Sequence, residues 1–254
     1  SRYGRVEHLL PAPPDSFHAG RALGSFTHYG DQALVLLRHL ASHKRYDARS
    51  FASEWREAMS SYDGYLDHAT TSTLEAMTGA DDPAAAGSSS TDLSAAARIA
   101  PVVYLYRDEH DLIGEMAAAQ AAVTHDSAPV RETASFLGDV MWHVLNGKTP
   151  TAAIAGVADK SPDSSVAALV RAGLASMQSD PVDAAQRFGQ GCATSAALPL
   201  AIHLIAKYEG SLRQALVENV AMGGDSAARG MVVGMVLGGF HGRDAIPDDW
   251  IAEM

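Results

Sequence analysis

The sequence predicts an all-α fold in one domain, and three observations carry that expectation. Helix start and stop signals are dense, sustained strand-type alternation is missing, and apolar residues recur at three- and four-residue spacing in segment after segment. Read by its punctuation, the chain holds about a dozen helices joined by short loops.

The elements follow in order. Asp31 precedes Leu34, Leu37 and Leu40, and Phe51, Trp55, Met59 and Tyr62 repeat the helical spacing, so two amphipathic helices are expected with those faces in the core. The stretch DDPAAAGSSSTD, residues 81–92, is the one low-complexity segment. Neither flank changes composition, so it reads as a surface loop that ends at Asp92, the expected N-cap of LSAAARIAPVV. Phe136, Val140, Trp142 and Val144 mark a less regular helix, stopped by Gly147. Thr149-Pro150, Ser161-Pro162 and Asp180-Pro181 each set a capping side chain before a first-turn proline. Gly210 stops another helix, and Ser211-Leu-Arg-Gln214 has the spacing of a capping box. Finally Asp225 caps a helix in which Gly230, Gly234 and Gly238 strip one face of side chains. Glycine costs about 1 kcal/mol per helix-interior position, so three in register predict a central helix whose neighbours approach its backbone.

Composition narrows the function. With 254 residues and 47% apolar content, the chain can bury a sizeable core. Nineteen Lys+Arg against 30 Asp+Glu give a formal charge of −11, the wrong sign for a non-specific nucleic-acid or anionic-membrane partner. The longest uncharged run, residues 189–206, contains Pro199 and polar residues and falls short of a membrane span. The single cysteine, Cys192, allows neither an intrachain disulfide nor a cysteine-based zinc site, which points to a reducing cytoplasm. The opening SRYGRVEHLL does not read as a signal peptide.

Eleven histidines invite metal readings, but neither Glu-x-x-His nor His-Glu-x-x-His occurs. His110-Asp111 supplies the doublet that a metal phosphohydrolase of the HD type needs, although about one such doublet arises by chance at this composition. Two segments are more specific: THYGDQALVLL from Thr27, and ENVAMGGDSAARGMVVGMVLGGFHG from Glu218. In the second, two glycines precede Asp225 at a helix start, where free N–H groups point outward. Asp225 and Arg229 lie four apart, placed for an ion pair.

Together with DLSAAARIAPVV, THDSAP, CATSAALPLAIHLI and IPDDW, in that order and spacing, these segments resemble the ADP-ribosylglycohydrolases, a family that includes DraG-type enzymes and the J-type crystallins. The resemblance implies one compact orthogonal bundle of helices spanning residues 1–254. It also implies two central magnesium ions and cleavage of the glycosidic bond between ADP-ribose and an acceptor. The Gly-Asp-Ala segment that usually opens the family has no counterpart after Ser1.

The match is incomplete at the implied metal site. The family's Thr-Asp-Asp-Thr aligns with Tyr29-Gly30-Asp31-Gln32, keeping Asp31 alone. In its late Gly-Gly-Asp-x-Asp-Thr motif Asp225 is kept, while Ala227 and Ala228 replace the second acid and the threonine. Two carboxylates are too few for a binuclear site, so at most one weakly held magnesium is expected at Asp31 and Asp225. The resemblance implies the same two acids as catalytic groups that orient or deprotonate water. It places His28, Tyr29, Ser90, Asp92, Arg98, His125, Ser226 and Arg229 around the ligand. Arg229 is expected either to replace lost metal charge or to pair with Asp225, and Arg98 either to touch ligand or to form a buried ion pair. Two functions stay open: binding of ADP-ribose or a related nucleotide sugar with hydrolysis, or a catalytically silent, crystallin-like pseudoenzyme.

Overall fold

The computed structural model describes Val6 and residues 10–253. The amino-terminal stretch read for a signal peptide lies largely outside the described residues. Among the described residues the architecture is helical with no sheet; only the isolated bridges Ser88–His125 and Asp92–Ala193 have strand-type pairing. A loop over residues 10–27 leads into α1 (His28–His43), α2 (Ala48–Ser60) and α3 (His68–Met77). After a 3-10 turn at Pro83–Ala85 come α4 (Ser94–Ala97), α5 (Ala100–Leu105), α6 (His110–Ala122) and α7 (Ala128–Leu145). The second half contains α8 (Pro150–Ala158), α9 (Ser165–Ala175), α10 (Pro181–Phe188), α11 (Thr194–Lys207), α12 (Leu212–Ala221), α13 (Ser226–His241) and α14 (Asp248–Ala252). No described helix is long and apolar enough to cross a membrane.

The core is one cluster of buried side chains. Helix α11 is its densest strand of chain, because every residue from Ala197 to Ala206 is buried. It packs along α9 and α13, while α6 packs along α7. Pro199 sits inside α11, removing a backbone donor where Pro199 O lies against Gly173 of α9.

Local chemistry explains most of the boundaries. Asp47, Asp67, Asp180 and Ser211 each accept a hydrogen bond from a first-turn backbone N–H, as N-caps do. Several sequence expectations need correction. Ser161-Pro162 lies in a turn, and α9 is capped three residues later by Ser164, whose hydroxyl accepts from Ala167 N at 3.1 Å. Leu37 is 47% exposed, because the inward face of α1 is Tyr29, Gln32, Leu36, His39 and Leu40. Only the first glycine of the α13 face meets a close neighbour, since a Cβ at Gly230 would lie 3.0 Å from Asn219 Nδ2 of α12. A Cβ at Gly234 or Gly238 would meet nothing within 4 Å, and the helix is buried instead through Val232, Val233, Val236 and Leu237. The serine-rich loop is not a solvated excursion. Ser88 N and Oγ both donate to Thr124 O, at 3.0 and 2.9 Å, which folds the loop back onto the end of α6.

Candidate functional site

Four loop–helix junctions converge on a cavity of about 710 Å³. The start of α1 contributes His28 and Tyr29, and the start of α3 contributes Asp67 and His68. The serine-rich loop contributes Ser90 and Asp92, and the turn before α13 contributes Asp225, Ser226 and Ala227. Tyr65, Cys192 and the loop residues Asp15 to His18 complete the wall. Two of these helix starts are closed by a cavity carboxylate, α3 by Asp67 and α13 by Asp225, while α1 has no side-chain cap at Thr27.

The three cavity carboxylates, Asp67 and Asp92 buried and Asp225 half-buried, live in different surroundings. Asp92 is saturated. Its Oδ1 accepts from Ser94 N at 3.0 Å and Ser94 Oγ at 2.5 Å, and its Oδ2 accepts from Ser90 Oγ at 2.6 Å and faces His125 Nε2 at 2.9 Å. Burial alone would raise its pKa, but these donors, His125 foremost, hold it far below the usual carboxylate range. Asp67 pairs with His28 Nε2 at 3.1 Å and caps α3 through Thr70 N at 2.7 Å. Its pKa is likewise lowered by these bonds against the opposing effect of burial. Asp225 differs. Its Oδ1 takes only a long bond from Ala228 N, 3.4 Å, and its Oδ2 is buried with no hydrogen-bond partner among the described residues. Burial therefore pushes its pKa up, with the charge of Asp92 adding to the rise. Tyr29 lies against His28 with ring centroids 4.0 Å apart, and burial together with the charges of Asp225, Asp92 and Asp67 keeps its hydroxyl protonated.

Of the residues expected around a ligand, the cavity wall brings together His28, Tyr29, Ser90, Asp92, Asp225 and Ser226. The other four, His125, Arg98, Arg229 and Asp31, are not in the wall. His125 stands behind Asp92, fully covered. Arg98 is buried and donates to Gln120 Oε1 (3.0 Å), Gln32 Oε1 (2.8 Å) and Thr124 Oγ1 (2.6 Å). It does not line the cavity and has no carboxylate partner among the described residues, and burial lowers its pKa to about 10. Arg229 is also buried and makes no ion pair with Asp225. It instead donates to Asn219 Oδ1 (3.1 Å), Asn219 O (3.2 Å) and Gly223 O (2.6 Å), clamping the end of α12 to the turn that presents Asp225.

Asp31 is the clearest correction. The expected meeting of Asp31 with Asp225 in one cleft does not occur. Asp31 lies on the flank of the first turn of α1, where its Oδ2 accepts from Arg21 Nη2 at 2.8 Å and Tyr62 Oη at 2.6 Å. One side of that turn faces the cavity, and His28 and Tyr29 occupy it.

The site does not fit a magnesium pair. Magnesium wants about six oxygens in octahedral array. Here both Asp92 oxygens and both Asp67 oxygens are already hydrogen-bonded, and among these three cavity acids only Asp225 Oδ2 is without a partner among the described residues. Among the described residues, no three cavity His, Cys, Asp or Glu side chains bring ligand atoms within 4.8 Å of one another. The HD reading fares no better: His110 stacks on Trp142 at 3.9 Å and faces Asp139 at 3.7 Å, and neither residue lines the cavity. Asp67 and Tyr65 escaped the sequence reading. The signal for Asp67 was there in Asp67-x-x-Thr70, a capping acid that the structure also turns toward His28.

An all-helical fold with a polar cavity rimmed by helix starts is the setting in which the comparisons with known proteins fall. The family model for ADP-ribosylglycohydrolase matches residues 2–254, and the chain belongs to that family. It is 22% identical over 245 residues to Crystallin J1A of Tripedalia cystophora, covering 90% of this chain and 74% of that protein. A solved structure titled ADP-ribosylglycohydrolase-related protein complex superposes with a TM-score of 0.75 at 20% identity. That match covers 99% of this chain and 82% of the other, a likeness of fold.

Proposed function

We propose that residues 1–254 act as one unit that binds ADP-ribose or a related nucleotide sugar by its ribosyl end and hydrolyses the glycosidic bond there. The supporting observation is Asp225, a cavity carboxylate with a bare, buried oxygen and a raised pKa. Such a group is a stronger base than an ordinary aspartate and has a lone pair free for a water proton. The water then attacks the anomeric carbon as the bond to the acceptor breaks. Asp92 has no spare lone pair in its present bonds and serves to hold the serine loop and His125 in place. The acidic wall suits a neutral, hydroxyl-rich sugar and repels phosphate, so the diphosphate would extend outward past Ser90 and the loop N–H groups. Magnesium, at most one weakly held ion at Asp225, enters no step. Cys192, exposed and unpaired, suits a reducing cytoplasm.

Calorimetric titration with ADP-ribose, and ADP-ribose release from ADP-ribosyl peptides with and without magnesium, test this reading. Asp225→Asn should keep ADP-ribose affinity within a few-fold and lower turnover about a hundredfold or more. Absence of ADP-ribose binding by the wild type would overturn it. A second reading, a catalytically silent member, draws support from the likeness to Crystallin J1A and from Ala227 and Ala228 where the family motif has an acid and a threonine. Binding without release of ADP-ribose from any linkage would select it.

A further inference from the structure

At the far end of α1 stands a cluster that the central cavity does not use. His39 and His43, one helical turn apart, share a face of α1, and Glu54 of α2 reaches across to both. Glu54 Oε2 lies 3.0 Å from His39 Nδ1, and Glu54 Oε1 lies 2.7 Å from His43 Nε2. One ligand atom from each of the three residues falls within 4.8 Å of the others. Along the helix the cluster is roughly 16–22 Å from His28, at 1.5 Å per residue.

We propose that His39, His43 and Glu54 form a binding site for one divalent transition-metal ion of the zinc class. Two imidazole nitrogens beside one carboxylate make a ligand set that zinc favours, whereas magnesium and calcium take oxygen ligands and leave imidazoles aside. With bonds of 2.0–2.1 Å, tetrahedral zinc holds its ligand atoms about 3.3 Å apart, and one atom from each residue already lies within 4.8 Å of the others, a spacing that rotation of the part-exposed Glu54 and His43 side chains can adjust to the ion. The anchor is rigid. His39 is fully buried, with Phe51 and Tyr46 rings 5.6 and 5.9 Å from its own. The opening is accessible, since the His43 and Glu54 side chains are 41% and 38% exposed, leaving the fourth position to water. Binding at His39 Nδ1 requires the tautomer with its proton on Nε2. The contact given up is the weak one from Asp47 N, 3.5 Å. The bound ion would tie α1 to α2 and so steady the helix that presents His28 and Tyr29.

The test uses the whole chain, stripped of metal and titrated with Zn²⁺ against a chromophoric chelator, then with Co²⁺ followed by its visible absorption. His43→Ala and Glu54→Gln are compared with the wild type, because both residues are part-exposed and their loss should leave the helical circular dichroism unchanged. The expected result is one ion per chain, a metal-induced rise in melting temperature, and affinity weakened about tenfold or more in each variant. Mg²⁺ should give no such rise. No stoichiometric Zn²⁺ binding, or equal affinity in the wild type and both variants, would overturn the proposal. ADP-ribose binding is read separately and does not bear on either result.

Discussion

Two loops line the cavity, 87–93 before α4 and 223–225 before α13, and each presents one aspartate. They are built alike. Behind each stands a fully buried arginine with no carboxylate partner: Arg98 braces Thr124, beside His125, and Arg229 braces Gly223. In each loop a glycine lies against a carbonyl, Gly87 on Ala122 O and Gly224 on Gln190 O. The difference is in the acids. Asp92 is given four partners, while Asp225 is left with one long bond and a bare oxygen. Equal scaffolding with unequal satisfaction separates a residue that holds structure from one kept available for chemistry.

The largest expected effect tests the scaffolding. Arg98→Met leaves Gln120 Oε1 without its donor and takes one of two partners from Gln32 Oε1 and Thr124 Oγ1, so urea denaturation should show a loss of about 3–4 kcal/mol. Arg229→Met should cost less, about 2–3 kcal/mol, since one of its nitrogens, Nη1, already lacks a partner and Asn219 keeps a bond to Ser226 O. Equal losses would mean that the two arginines do not differ as their bonds suggest.

The glycines come next. Gly224 has φ +66° and no room for a Cβ beside the Gln190 backbone, so Gly224→Ala should cost about 2–3 kcal/mol and displace Asp225. Gly87→Ala faces a similar collision without the positive φ and should cost less. Chemical denaturation of the two variants side by side checks the order.

How much of this could be read beforehand follows from which forces are local. Caps and prolines act within a few residues, so the starts at Pro150, Pro181, Leu212 and Ser226 were legible. So was Asp225, because a Gly-Gly-Asp turn into a helix is itself a local signal. Which side of a first turn faces a cavity is not local. Asp31, His28 and Tyr29 share one turn of α1, and only packing against the α2–α3 connection and the amino-terminal loop decides that Asp31 pairs with Arg21 and Tyr62. The long reach of a guanidinium hid both arginines as well, since Arg229 spans ten residues back to Asn219 where the spacing suggested an i,i+4 pair. His39 and His43 were one turn apart in plain view, but their third ligand, Glu54, comes from another helix.

A change at Asp92 should be smaller than at the arginines but clear. Asp92→Asn removes charge-assisted bonds to Ser94 and His125, for a loss of about 2 kcal/mol at neutral pH. The folded pKa is depressed, so the stability from the carboxylate is present above about pH 4, the unfolded value, and is lost as pH falls through the folded pKa. Wild type and variant should therefore converge in acid.

Asp225→Asn gives the smallest effect and the opposite sign. Its folded pKa is raised by burial, so at neutral pH the ionised form is penalised in the folded protein relative to the unfolded chain. The amide keeps the Oδ1 acceptor for Ala228 N, and asparagine is as good a helix cap as aspartate. Removing the charge should leave stability unchanged or raise it by up to about 1 kcal/mol near pH 7. The sign then reverses the pattern at Asp92: the penalty is full above the raised folded pKa and absent below about pH 4, so the variant's advantage should fade as the solution is acidified. Melting temperatures of the wild type, Asp92→Asn and Asp225→Asn between pH 3 and 7 decide it. If both asparagine variants lose stability at neutral pH, the bare oxygen of Asp225 is not a strained, available base, and the contrast between the two loops fails.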